Sequence, residues 1–182
     1  MKLTPLLVLV LFASTGTSDY ALLEGRLRFS APGRWREVRR VDGDTVGFLA
    51  FVVPRPRNDS LAPAGNVMID VALSHRRVDL QTYSDAKLGQ EAAGPGTPTI
   101  VDDTTWSDDR SRTVLSRGSL RGTPYVLWDK FAVRDSIYLN VRTAIPVSYG
   151  SDSVWEARYE ADVATLLRSL CVGQSLFFAP LQ

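Results

Sequence analysis

The sequence is poor in the residues that carry most protein chemistry. Cysteine and histidine each occur once in 182 residues, as Cys171 and His75. One cysteine cannot close an internal disulfide. One histidine and one distant cysteine cannot supply the three or four ligands of a structural zinc site. A single histidine also confines any histidine-assisted mechanism to one place, and no Gly-x-Ser-x-Gly elbow accompanies it, because Gly118-Ser119 runs on into Leu120-Arg121-Gly122. His75 lies beside Arg76 and Arg77 at the end of a strand pattern, where a structural or exposed role is expected. Gly94-Pro95-Gly96 lacks the third glycine of a dinucleotide fingerprint and loses an amide donor to its proline. No P-loop is present, and no cofactor is expected. The net charge of +1 provides no long-range field to concentrate nucleic acid or an anionic membrane surface.

What is present is a globular composition, 45% hydrophobic and 23% charged, in a chain long enough for one core. The N-terminus is different. Lys2 precedes the apolar run Leu6-Leu7-Val8-Leu9-Val10-Leu11-Phe12, followed by the small and polar Ala13-Ser14-Thr15-Gly16-Thr17-Ser18. This is the layout of a secretory signal peptide. Its apolar core falls well short of the roughly 20 residues that span a bilayer, so stable membrane insertion is not expected once the signal is removed. The division is therefore a signal peptide over 1–18 and a single domain over 19–182, exported to the periplasm or secreted. No cysteine stands near the junction to be acylated, and Cys171 is expected to be a small buried hydrophobe.

From Leu27 onward, strand patterns dominate. Leu27 and Phe29 lead into Pro32-Gly33, and Trp35 and Val38 lead to Asp42-Gly43-Asp44, which together predict an antiparallel ribbon. Residues 46–53 are apolar at both parities, as a strand covered on both faces would be. After the proline-rich stretch 54–65 comes an alternating strand with Val67, Ile69, Val71 and Leu73 on one face. Asp79 can cap a short helix over 80–90. Residues 91–112 are expected to form a long excursion, broken by glycine and proline and then polar around Trp106, unless a strand lies at Thr99 to Val101. Three strands, 112–120, 125–133 and 137–145, follow with connections so short that neighbours must be antiparallel. Ser153 with Glu156 is a capping box opening a helix whose stripe is Trp155, Tyr159, Val163, Leu166, Leu167 and Leu170. The tail after Ser175 is apolar enough to pack on the domain.

The order of these elements resembles the PsbP-like superfamily, which includes DcrB-like envelope proteins and Mog-like Ran-binding proteins. The resemblance rests on Phe29-Ser30-Ala31-Pro32 with Gly33 and Trp35, on Asn66-Val67-Met68-Ile69-Asp70-Val71 leading to Leu80 and Tyr83, and on the meander into Leu166-Leu167-Arg168-Ser169-Leu170. It implies an α+β fold, a single antiparallel sheet flanked by helices on both faces. It implies no activity, because members are mostly non-enzymatic binding or accessory proteins, and it carries over no site residue.

No catalytic or metal-ligating residues are assigned. The expected function is an exported, non-catalytic binding or accessory module whose partner is another envelope or secreted protein; a carboxylate-dependent secreted hydrolase, which needs no histidine, is the alternative. The expected contact residues are Trp106, Asp108, Asp109 and Arg110, with the tryptophan as anchor; the alternative for Trp106 is a lid folded back over the sheet edge onto the core. Asp102, Asp103, Asp108 and Asp109 offer calcium oxygens without the spacing or glycine of an EF-hand. The arginines Arg26, Arg28, Arg34, Arg36, Arg39 and Arg40 read either as a solvated strand face or as an anion- or partner-binding surface, since Glu24, Glu37, Asp42 and Asp44 lie among them.

Overall fold

Turn chemistry sets the pairing of neighbouring strands, and the computed structural model shows where it leads over residues 16–54, 65–92, 99–105, 111–120, 123–147, 153–176 and 178. The chain runs β1 (Thr17–Leu22), β2 (Leu27–Pro32), β3 (Arg36–Asp42), β4 (Val46–Val52), β5 (Asn66–Leu73), α1 (Leu80–Ala92) and β6 (Thr99–Thr105). It continues through β7 (Ser111–Leu120), β8 (Thr123–Arg134), β9 (Ile137–Pro146), α2 (Ser153–Ser169), β10 (Cys171–Val172) and β11 (Ser175–Leu176). The expected meander is β7-β8-β9, antiparallel throughout. Its last hairpin closes on Arg134 paired with Ile137, with Asp135 (φ 49°) and Ser136 (φ 65°) both left-handed between them. Two consecutive positive φ angles are those of a type I′ turn, whose twist matches that of the flanking strands.

The expected single sheet flanked by helices does not form. The strands divide into a seven-stranded sheet of order β3-β4-β5-β9-β8-β7-β6 and a four-stranded sheet of order β1-β2-β10-β11. Turn residues determine that a chain reverses, but not which strand it then pairs with. Pro32-Gly33, expected to close a ribbon, instead passes the chain from β2 in the small sheet to β3 in the large one. The free edge of β2 is taken by β10, through Arg28 with Cys171 and Leu27 with Val172. Strands of two residues leave no periodicity in a sequence, so β10 and β11 went unexpected. Cys171 on β10 is half-buried, not fully buried, with its thiol directed at the carbonyl of Arg28.

The main core lies between the large sheet on one side and the small sheet with α2 on the other. The large sheet contributes Leu49, Phe51, Val67, Ile69, Val71, Leu139 and Val141; the opposing layer contributes Leu22, Leu27, Phe29, Tyr159, Leu166 and Leu170. Gly47 allows the layers to meet closely, since a Cβ there would lie 2.9 Å from Val71 Cγ1 and 3.1 Å from Leu22 Cβ. On α2, Tyr159 and Leu166 are buried as expected, as is Leu170 just past its end, whereas Val163 and Leu167 are only half-buried; the Trp155 side chain lies outside the described residues. Two contacts pin α2 to the segment around β2: Asp162 pairs with Arg34, and Ser169 Oγ accepts from the Ser30 amide at 2.8 Å. Phe178 is buried in the same core, so the apolar tail does pack on the domain at that residue.

Two further expectations change. Strand β4 has one fully buried face, with Leu49 and Phe51, while Phe48, Ala50 and Val52 are half-buried and Val46 is exposed. A doubly apolar run therefore does not here mean two fully covered faces. The expected excursion contains a strand, β6, paired with β7 through a register shift between Ile100 and Asp102. That irregularity breaks the alternation by which a sequence announces a strand.

Candidate functional site

The expected contact residues Trp106, Asp108, Asp109 and Arg110 lie outside the described residues, between β6 and β7. Asp102 and Asp103 lie on β6, and among the described residues no three His, Cys, Asp or Glu side chains gather as metal ligands. His75 is exposed just after β5.

Two faces of the large sheet carry chemistry. The first faces α1, whose start is fixed as expected: Asp79 accepts from the amide and the hydroxyl of Thr82, both at 2.8 Å. These bonds hold the Asp79 carboxyl below its usual range. Strand register arranges the α1 face in rows. One row reads Phe48, Asp70, Asn140, Phe131, Arg112, and the next reads Ala50, Met68, Arg142, Asp129, Val114. Asp129 is fully buried and takes two bonds from Arg142, at 2.8 and 2.7 Å. Lys87 on α1 donates to Asp70 at 2.8 Å. Arg112, also buried, reaches Ser84 and Asp85 on α1 at 2.5 and 2.6 Å. Tyr83 packs edge-on against Phe131, 6.0 Å between centroids, and tilted against Tyr138 at 5.1 Å. Burial, with the charge of Asp70 adding to it, pushes its phenol well above the ordinary tyrosine range.

Asp70, Asp85 and Asp129 thus each have a cation as partner, and Asp79 caps α1. A carboxylate hydrolase needs two acids in contrasting environments, one kept protonated. What this arrangement does is clamp α1 to the sheet: the Lys87 and Arg112 pairs connect helix and strand, and the Asp129–Arg142 pair joins β8 to β9 beside them.

The second face is the one that α2 and the small sheet cover only in part. They lie over β4, β5 and β9 and leave part of β8 and β7 open on this side, although Ala132 and Ser111 on the same face are buried. Thr143 on β9 is buried, its β8 neighbour Trp128 is 46% exposed, and Leu115, beyond Trp128 on β7, is half-buried. Val126 is half-buried and Arg117, opposite it on β7, is exposed. Val147, just past β9, is 47% exposed. On the other flank Lys130 sits with its ammonium 4.8 Å from the centre of the Phe178 ring. Burial lowers its pKa to about 8. The result is a tryptophan in the middle of a β-sheet face, bordered by aliphatic side chains and two cations. The sequence did not single out Trp128, because β8 is apolar at both parities, with Tyr125, Leu127, Phe131 and Val133 against Val126, Trp128 and Ala132. Only the pairing order shows which of these the second layer leaves open.

No protein-family model matches the chain, and no curated protein matches it. Solved structures similar to it in outline include a Pseudomonas aeruginosa protein of unknown function, with a TM-score of 0.48 at 14% identity over 79% of this chain and 94% of that one. LpqN of Mycobacterium tuberculosis, described as involved in cell envelope biogenesis, is similar with a TM-score of 0.44 at 13% identity, covering 83% of this chain and 84% of LpqN. The cyanobacterial PsbP of Synechocystis sp. PCC 6803, CyanoP, is similar with a TM-score of 0.46 at 8% identity, covering 87% of this chain and 93% of CyanoP. Among the described residues no helix is long and apolar enough to cross a membrane.

Proposed function

We propose that this chain is an exported, non-catalytic accessory module of the PsbP-like kind that docks on another envelope or secreted protein through the open face around Trp128. The observation that carries the reading is the 46% exposure of Trp128 on a sheet face whose other half is deep core. Soluble proteins scatter single aliphatic residues on their surfaces at no consequence. A tryptophan bordered by Leu115 and Val126 is different, because tryptophan leads the residues that dominate protein interfaces and a rim of lesser contacts excludes water around it. Export rests on the apolar N-terminal run and its small-residue junction. Trp106 and the acidic residues after it, placed by sequence between the two outermost strands of the large sheet, remain part of the proposed contact.

The test is co-purification of the mature protein from its native envelope with wild-type and Trp128→Ser chains. Trp128 is about half exposed, so its truncation costs about half the value of a core tryptophan, roughly 2 kcal/mol. A domain with 5–15 kcal/mol of stability stays folded at that cost. The expected outcome is a folded variant that loses a partner the wild type retains. A variant that keeps every wild-type partner refutes the reading.

A further inference from the structure

Strand β3 is the outer edge of the seven-stranded sheet, and every one of its residues is exposed. It pairs with β4 on one side only; among the described residues no strand takes its other side. An open edge presents a row of unpaired amides and carbonyls, which templates an added strand. Val38 and Val41 on it are 50% and 44% exposed, and Val46 at the start of β4 is 54% exposed.

The charges of β3 are sorted by an irregularity. Arg36 pairs with Val52 and Arg39 with Ala50, because the register shifts between Glu37 and Arg39. Val52 and Ala50 share the α1 face, so the bulge brings Arg36 and Arg39 to that one face as successive cross-strand neighbours, with Val41 next, opposite Phe48. In a regular strand, residues three apart would point to opposite faces. The two acids of the strand are already engaged: Glu37 accepts from Arg40 at 3.1 and 3.2 Å, and Asp42 accepts from the amide of Leu23 at 2.8 Å. Arg39 lies over the Phe48 ring at 5.3 Å, and neither it nor Arg36 has a carboxylate partner among the described residues.

We infer that β3 is a docking edge for an extended acidic segment of another polypeptide, which adds an eighth strand with two carboxylates, one residue apart, facing Arg36 and Arg39 and an apolar side chain facing Val41. Backbone bonds along the edge supply affinity, and the alternate side chains supply specificity. A second copy of this chain is the wrong occupant. Antiparallel pairing of two copies centred on β3 sets Arg39 opposite Arg39, and like charges directly opposite are destabilising.

The probe is a capped peptide, Val-Thr-Glu-Thr-Glu-Thr-Val, which presents the acidic pattern in either strand direction; its control carries lysine for both glutamates. Binding is followed by titration, and amide hydrogen exchange is followed with and without peptide. The expected result is binding of the glutamate peptide with new protection at the β3 amides. Arg36→Ser with Arg39→Ser should weaken it about tenfold, two exposed charge pairs being at stake. Trp128→Ser should leave it unchanged, so failure here and failure of the proposed docking face are separate results. Equal binding of the lysine peptide, binding without protection of β3, or a wild-type dimer whose β3 amides are protected with no peptide present would each overturn the inference.

Discussion

Replacing Asp129 with alanine would leave the guanidinium of Arg142 facing a hole on the α1 side of the large sheet. Asp129 is fully buried, the Arg142 side chain is 13% exposed, and two parallel bonds of 2.8 and 2.7 Å join them. At about 4 Å between charge centres and an effective dielectric near 20, their attraction is about 4 kcal/mol. Much of that is offset by the cost of drying both groups, so the pair as a whole contributes little net stability. Removing one partner is another matter, because the drying cost of the remaining charge stays while the attraction vanishes. The expected loss is about 3–5 kcal/mol. For a domain of this size that is a fall in Tm of roughly 6–20 °C. Urea titration of the mature protein measures it, and Asp129→Leu with Arg142→Met is the internal control, expected within about 1–2 kcal/mol of wild type because it removes both charges and keeps apolar volume. A loss below about 1 kcal/mol for Asp129→Ala would contradict the reading of Asp129–Arg142 as a buried ion pair joining β8 to β9.

Other outcomes follow from single features. Lys130 has a folded-state pKa of about 8, below its unfolded value. The folded state therefore binds the Lys130 proton less well, and this penalty on stability is full below pH 8 and fades as pH rises toward 10.5. Lys130→Met should raise Tm at pH 7 by an amount that shrinks across that window; a gain independent of pH would refute the burial account. Asp135 and Ser136 both hold left-handed backbone without being glycine. Changing them to Asn-Gly, the preferred type I′ pair, should stabilise by about 1 kcal/mol in denaturant titration, and no gain would contradict the turn assignment. Export with cleavage near Ser18 should appear as a shortened intact mass for protein recovered from its host, whereas full-length chain in the cytoplasm would contradict it.

How much of this was legible in the sequence depended on whether a signal was local. The helix begun by Asp79, the β7-β8-β9 meander and the helix α2 are set by caps, short connections and periodicity within one element, and the structure has them, although Val163 and Leu167 of the expected stripe are only half-buried. The division into two sheets was not legible, because it depends on β10 reaching β2 across more than a hundred residues of chain, from Arg28 to Cys171. Of strand β6 only the start, Thr99 to Val101, could be read as a strand; the register shift between Ile100 and Asp102 hid the rest. The exposure of Trp128 was hidden by the apolar character of both faces of β8, which periodicity reads as burial on both. The arginine cluster was visible, but the bulge that brings Arg36 and Arg39 to one face of β3 was not.

The central claim is that the open sheet face around Trp128 is where another exported protein docks. A photo-activatable cross-linker placed at position 128 tests it most directly in intact cells, with the same group at Ala86, an exposed position on α1, as the reference. The account predicts one discrete cross-linked species from position 128, absent from position 86. Cross-linking at equal yield from both positions, or from position 86 alone, would contradict it.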